Sequence, residues 1–481
     1  MDRYKSIENR NQLSLVPMCL DDMISADSEV RAIDAIVDSM DIRSMGFTYS
    51  ETKETGRKPY SPIDMFKLYT YSYFNGIRSS RKIERECHRN IEVLWLINEL
   101  KPDFKTIADF RKDNKKQIKL AFRKFSMICD ELGLIGKEMV AVDGSKFRAN
   151  NSRLAYHSEN KLQKKIEHYN KTAEQYLSLL DRHDTQESNS EVTKLSRAEI
   201  EAKIEGINKR LAELETLKQQ VKESGSIYIT DPDSRMMKTN SNGCDICHNV
   251  QIAVDDKNHL VVAVDVTSDP VDKEQFHNIS LQAKEEIGVD TITAIADKGY
   301  YSASEFAKCK VDNIIPIVSK ADHSHMAATE EYGKSQFKYD EVKDGYICPR
   351  GHLLKPYNAR KENAKYPGHK RYRNFTACAE CKVKDKCSKS EKGRTIQDRP
   401  FQRYADEVDR RTNEYLDMYK KRKQLVEHPF GTIKRAFGFS YFLTRGTESV
   451  RTESFMHFLV YNMKRTINII GTKEIIGILQ G

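Results

Sequence analysis

Three carboxylates stand where a divalent cation would find oxygen ligands. Asp143 closes the apolar run Met139-Val140-Ala141-Val142 and precedes Gly144-Ser145-Lys146. Asp297 closes a second run, Thr291 to Ala296, and precedes Lys298-Gly299-Tyr300. Glu427 lies in a segment of helical composition bounded by Lys423 and Lys434. An apolar run ending in an acid reads as a buried strand that opens into a crevice, where a cation can neutralise the charge. Two such aspartates on neighbouring strands, with a third acid on a helix, make an all-oxygen site suited to Mg²⁺ or Mn²⁺. Two ions roughly 3.5–4 Å apart activate an attacking hydroxyl and stabilise the leaving oxygen of a phosphodiester. Lys423 and Lys434 could hold phosphates beside Glu427. The competing reading is that the aspartates are ordinary turn formers among 71 acidic residues.

A second set of candidates is made of thiols. Of ten cysteines, Cys348, Cys378, Cys381 and Cys387 fall in one short stretch. Cys378-Ala379-Glu380-Cys381 is a C-x-x-C pair, Cys387 follows, and Cys348 opens Cys348-Pro349-Arg350-Gly351-His352. Four thiolates suit tetrahedral Zn²⁺, and such a closed shell is structural. The gap from Cys381 to Cys387 exceeds that of a second C-x-x-C pair, which leaves two readings: a structural zinc ribbon, or reduced thiols without metal. The Lys-, Arg- and Tyr-rich loop between Cys348 and Cys378 could touch DNA. Cys244-Asp245-Ile246-Cys247-His248 spells a c-type haem attachment motif. That reading is rejected, because the motif runs straight into a strand and the Met1 to Lys5 start leads into no apolar export signal. His277 and His428 lie near the candidate acids, where capping of local structure is the plainer role.

The elements that must position these groups are legible in outline. Residues 1–135 read as short helices. Ser61-Pro62 starts one that Asn75-Gly76 stops, Ser79-Ser80 starts another, and a third is expected from Thr106 through Ile118, Phe122 and Phe125. Such helices fit either a helix-turn-helix DNA reader or a plain bundle. From Lys137 strands begin. The runs 249–254 and 260–264 around the turn Asp255-Asp256-Lys257-Asn258 predict a hairpin. A helix near 272–287 and strands at 291–296 and 313–318 complete a mixed α/β pattern. Two inserts interrupt it. In 157–223, stripes through Leu162 to Leu180 and Ile200 to Leu214 predict a helical hairpin, its second helix opened by a Ser196/Glu199 capping box. The other, 320–400, holds the clustered cysteines. Residues 401–470 read as helix again, broken near Gly438 and Gly446.

Composition narrows the function classes. Over 481 residues, 80 Lys and Arg against 71 Asp and Glu leave a net charge of +9. That excess is compatible with phosphate binding and equally with an ordinary basic surface. No apolar run is long enough to span a bilayer, and the expected location is the cytoplasm. Cysteines in such a setting argue against a disulfide framework.

At the acids the sequence resembles insertion-sequence transposases of the DDE class, in the branch with a cysteine-rich insert. The blocks occur in order: Pro102-Asp103 with Thr106-Ile107 and Phe110-Arg111; Val142-Asp143-Gly144-Ser145-Lys146; Asp231-Pro232-Asp233-Ser234-Arg235-Met236 with Asn249 to Asp255; Ala296-Asp297-Lys298-Gly299-Tyr300; and Glu427-His428-Pro429-Phe430-Gly431 to Lys434. Any one is weak, and five in order are specific. The resemblance implies an RNase H-like mixed sheet flanked by helices, with catalytic residues in 136–320 and 401–470 and a DNA-binding helical domain in 1–135. It implies Asp143, Asp297 and Glu427 as catalytic Mg²⁺ or Mn²⁺ ligands and Lys146, Lys298, Lys423 and Lys434 as DNA contacts. The implied partners are terminal inverted repeats, target DNA and a second protomer. Related sequences often carry Tyr, two residues, Arg, three residues, Glu, six residues, Lys. Here Lys423 occupies the Arg place and Tyr419 comes one residue early, which puts the roles of those two in doubt. A domesticated nuclease, or a DNA-binding repressor derived from such an enzyme, is the alternative. The repressor predicts a lost carboxylate, and all three are present.

Overall fold

The computed structural model describes residues 19–48, 58–152, 155–185, 196–239, 243–320, 330–357, 370–388, 390–398 and 401–480. The Met1 to Lys5 start, most of the polar break at 181–194 and much of the basic loop between Cys348 and Cys378 lie outside them.

The N-terminal part is helical: α1 (Glu29–Ser39), α2 (Pro62–Phe74), α3 (Ser80–Arg89), α4 (Ile91–Leu96), α5 (Phe104–Asp113) and α6 (Lys115–Glu131). Ser61 caps α2, its hydroxyl accepting the Ile63 N–H at 3.3 Å, and Gly76 leaves the helix with φ +71°. The helix expected from Thr106 differs. Asp103 is its cap, accepting the Thr106 N–H at 2.7 Å, so the first turn begins at Phe104. It also ends at Asn114, and Ile118, Phe122 and Phe125 belong to the separate helix α6.

The central sheet starts with β1 (Met139–Arg148). A short pair, β2 (Tyr156–Ser158) and β3 (Ser226–Tyr228), brackets two long helices packed on each other, α7 (Glu159–Thr185) and α8 (Arg197–Ser224). Leu162, Ile166, Leu214 and Val221 form their shared core, and the Ser196/Glu199 capping box opens α8. The sheet resumes with β4 (Arg235–Lys238), β5 (Cys244–Asp255) and β6 (Val261–Thr267), then α9 (Phe276–Ile287), β7 (Ile292–Ala296), α10 (Ala303–Val311) and β8 (Ile314–Val318). Among the described residues it has six strands. β5 and β1 are antiparallel, β4 and β6 share the far edge of β5, and β7 and β8 follow β1 in parallel.

A small separate sheet contains β9 (Lys338–Asp340), β10 (Gly345–Ile347), β11 (Leu353–Pro356), β12 (Lys370–Arg373) and β13 (Ile396–Asp398), with α11 (Phe375–Ala379) and α12 (Lys384–Cys387) beside it. The chain then returns as α13 (Gln402–Glu414), α14 (Leu416–Gly431), α15 (Thr447–Ile470) and α16 (Thr472–Gln480). Gly438 and Gly446, both at positive φ, turn the chain between α14 and α15.

One apolar core runs from α1 to α16 and takes in the sheet. The helix α15 packs against α2, α6 and β6, so the N-terminal helices and the sheet share it. The helix α14 packs against β1, β7 and β5. No helix among the described residues is long and apolar enough to cross a membrane.

Candidate active site

Asp143 is not at a strand end, contrary to the expectation. β1 runs on to Arg148 because β5 stays paired with it, from Val140 opposite Asp255 to Arg148 opposite Cys247. What ends is the other neighbour. The parallel pairing with β7 stops at Val142 opposite Ala296, so one edge of β1 opens beside Asp143. Asp297 is the residue after β7, and its carboxylate accepts the Gly299 N–H at 2.8 Å. The register thus brings Asp143 and Asp297 to adjacent positions.

The electrostatics record that proximity. The Asp143 carboxyl is pushed up to about 6 from 3.8, first by burial and then by the charges of Asp297 and Asp272, against the Gly144 N–H and Arg422, which pull it down. Glu427, on α14, is exposed and 3.7 Å from Lys423, also exposed. Among the described residues no three His, Cys, Asp or Glu side chains come close enough together to hold one metal ion. Asp143 and Asp297 are therefore neighbours, and Glu427 is turned outward on the helix packed beside them.

The lysines divide into two kinds. Lys298 and Lys423 are exposed. Lys146 and Lys434 are turned inward. Lys146 forms an ion pair with Asp272 at 2.9 Å. Lys434 donates to the Ser145 hydroxyl at 2.5 Å and lies 4.4 Å from the centre of the Phe147 ring. Burial holds its ammonium below the usual lysine range.

Two groups at the site escape sequence reading. One is Arg422. The lysine at 423 fills the expected arginine place and faces solvent, whereas the guanidinium that acts on Asp143 comes from the preceding residue. One residue on a helix is a turn of about 100°, enough to exchange the inner and outer faces. The other is Asp272, between β6 and α9, which accepts from Lys146, from Asn249 at 2.6 Å and from Gln251 at 2.8 Å. Gln251 in turn accepts from the Tyr300 hydroxyl. Burial, followed by Asp272, Asp143 and Asp297, raises that phenol well above its ordinary range, so it stays a donor. These polar groups form a buffer of fixed hydrogen bonds behind the two aspartates.

Gly144 lets that network cross β1. A Cβ there would collide with the Gln251 amide nitrogen and come within 2.8 Å of an Asp272 oxygen. Gln251 is only 1% exposed and bonded at both ends of its amide, so it has little room to yield. Gly144→Ala is expected to destabilise the fold by about 1–3 kcal/mol, read as a lower Tm than wild type. An unchanged Tm would contradict this packing.

The four clustered cysteines line one cavity with Phe337, Leu354 and His352. All four are free thiols. Cys348 is held in a tight turn, its carbonyl accepting the Gly351 N–H at 2.8 Å. Gly393, at φ +83°, passes so close to Cys378 that a Cβ would overlap it. Burial raises the Cys387 thiol, and the charges of Cys378, Cys381 and Cys348 act in the same direction. The haem-like motif is instead part of β5. Cys247 is buried, and His248 is 2.9 Å from Asp231 with both side chains fully buried. His428 bonds Tyr461 at 2.8 Å and His277 bonds Asp312 at 2.6 Å, both local contacts.

Two family models match the chain. Residues 18–113 match "Transposase domain (DUF772)", and residues 347–467 match "Transposase DDE domain". The second span takes in the clustered cysteines, Glu427 and Lys434, and Asp143 and Asp297 lie between the two spans. No curated protein matches the chain. The two matches agree with each other in kind and stand in order along one continuous core, and together they support an insertion-sequence transposase of the DDE class.

Proposed function

We propose that the protein binds the terminal inverted repeats of its own element, hydrolyses phosphodiester bonds at the element ends and joins the freed 3′-hydroxyl to target DNA. The observation that carries this reading is the adjacency of Asp143 and Asp297 at the open edge of β1, with α14, the helix that carries Glu427, packed alongside. The strand arrangement supports an RNase H-like reading of the sheet.

Asp143, Asp297 and Glu427 would hold Mg²⁺ or Mn²⁺. The donor set fits, because it is all oxygen and because the strand register sets the Asp143 and Asp297 carboxylates side by side, a pair of charges that a cation would relieve. Bound there, the ions would polarise the phosphodiester and lower the pKa of the attacking hydroxyl. Glu427 completes the set by leaving Lys423, at little cost, since an exposed pair at this helical spacing is worth about 0.3–0.5 kcal/mol. Lys298 and Lys423, both exposed, contact DNA phosphates. Lys146 and Lys434, expected to do the same, are committed to Asp272 and Ser145 and brace the strand that carries Asp143. Two protomers would pair the two element ends, in the bacterial cytoplasm.

The test is incubation of the protein and Mg²⁺ with a plasmid carrying the gene's native flanks. Cutting at the flanks with joining to a second plasmid is expected. Cutting without joining would favour a nuclease, and end-specific binding without cutting would favour a repressor.

A structural Zn²⁺ on Cys348, Cys378, Cys381 and Cys387 is part of the same reading, because four soft donors line one cavity, where they would have to draw together to close around the ion. Protein purified without chelator is expected to carry about one zinc per chain by elemental analysis. Cys378→Ser and Cys381→Ser should each lose most of it, and metal-free preparations with unchanged stability would exclude the site.

A further inference from the structure

A second charged site lies away from the carboxylates. A cavity of about 390 Å³ opens between α5 and α6 on one side and the loop into α15 on the other. Its lining includes Arg111, Lys112, Lys115 and Arg445, and no carboxylate. Among the described residues Lys112, Lys115 and Arg445 form no ion pair. Three unpaired cations converging on one hollow leave it with uncompensated positive charge.

The hollow is also rigid. Arg111 donates to the Tyr73 hydroxyl at 3.1 Å. The loop bearing Arg445 is tied down on both sides. Buried Glu453 accepts the Thr444 N–H at 3.0 Å, Asp231 accepts the Gly446 N–H at 3.1 Å, and Asp233 accepts the Thr447 N–H at 2.8 Å. Asn150, which follows β1, donates to the Leu443 carbonyl at 2.7 Å. Arg111 and the backbone that carries Arg445 are thereby held in place, which lowers the ordering cost of binding an anion there. The cavity therefore has the charge and preorganisation of an anion site, and it joins the N-terminal helices to the strand that carries Asp143.

We infer that this cavity clamps a backbone phosphate of duplex DNA, through Lys112, Lys115 and Arg445 with Arg111 at its base. The inference rests on the reading of the protein as one that acts on DNA. The clamp contacts phosphate and not base edges, so it fixes the duplex on the protein without reading sequence. It holds DNA to the helical part and the sheet at once, which sets the distance from the gripped phosphate to the cleavage site.

The test is DNA binding by fluorescence anisotropy across a salt series. It compares wild type, the triple variant Lys112→Gln/Lys115→Gln/Arg445→Gln, and the control Lys308→Gln, whose lysine is paired with Glu305. Arg111 stays intact because it is bonded in the core. Each phosphate contact adds about 0.9 to the slope of log affinity against log salt. The triple variant is expected to lose about one from that slope and at least about tenfold in affinity at low salt, with the wild-type Tm. The control should match wild type. An unchanged slope and affinity in the triple variant, while wild type binds DNA, overturns the clamp and leaves the proposed function standing. A wild type that binds no duplex overturns both. Stabilisation by inorganic phosphate that is lost in the triple variant, with DNA affinity unchanged, assigns the cavity to a free anion and also overturns the clamp.

Discussion

Asp143→Asn is expected to give a protein that melts at a higher temperature than wild type at pH 8 and cuts DNA at least about a thousandfold more slowly. The stability gain follows from the position of the side chain. A carboxyl at about 6 in the folded protein, against 3.8 ordinarily, costs the ionised folded state about 2–3 kcal/mol. Because the folded value is raised, the cost is absent below about pH 4, grows as the pH rises towards 6 and is complete above it. The amide carries no charge and escapes it. The advantage of the variant should therefore vanish when both proteins are melted at acid pH. Mg²⁺ or Mn²⁺ should narrow the gap from the other side, by stabilising wild type and not the variant. The rate loss follows from removing a ligand whose ion supplies several kcal/mol of transition-state stabilisation. Equal melting temperatures for the two proteins across the pH range would contradict the electrostatic account of the site.

Glu453→Ala is expected to cost about 3–5 kcal/mol of stability, lowering Tm by about 5 °C or more. Glu453 is fully buried in α15 and accepts the N–H groups of Leu443 and Thr444 and the Thr444 hydroxyl. Arg78 approaches it at 3.5 Å, donates to the Tyr441 carbonyl at 2.7 Å and lies against the Phe439 and Tyr441 rings. Truncation leaves the buried guanidinium without its counter-charge and two backbone donors without an acceptor. Glu453→Gln keeps an acceptor and should cost less. A melting curve for Glu453→Ala that superimposes on wild type would remove this residue as the tie between the N-terminal helices and the loop into α15.

What the sequence discloses and what it hides follow a physical division. Local signals carried through: the Ser61 cap, the capping box of α8, the hairpin around Asp255 and the glycine turns at 438 and 446 each depend on a few neighbouring residues. Strand limits did not, because they depend on the partner. β1 passes Asp143 since β5 continues, and the crevice opens there since β7 stops. Helix facing was also hidden in α14. Motif spacing pointed to Lys423, and the packing of α14 on β1 and β7 turns Arg422 inward instead. Asp272 lies in a turn with no pattern of its own, and only the fold brings Lys146, Asn249 and Gln251 to it. The same long-range pairing withdraws Lys146 from solvent, although it too follows a candidate acid, three residues after Asp143, as Lys298 directly follows Asp297. A lysine beside an acid in sequence thus has no fixed role until the acid across the sheet is known.

The most direct test of the carboxylate site is single-turnover cleavage of a labelled duplex bearing the element end, with Mg²⁺, by wild type, Asp143→Asn, Asp297→Asn and Glu427→Gln. Wild type should release a 3′-hydroxyl at the element boundary in a reaction abolished by chelator, and each variant should bind the duplex and fail to cut it. Chelator-resistant cleavage, or cleavage at the wild-type rate by any of the three variants, would contradict the assignment.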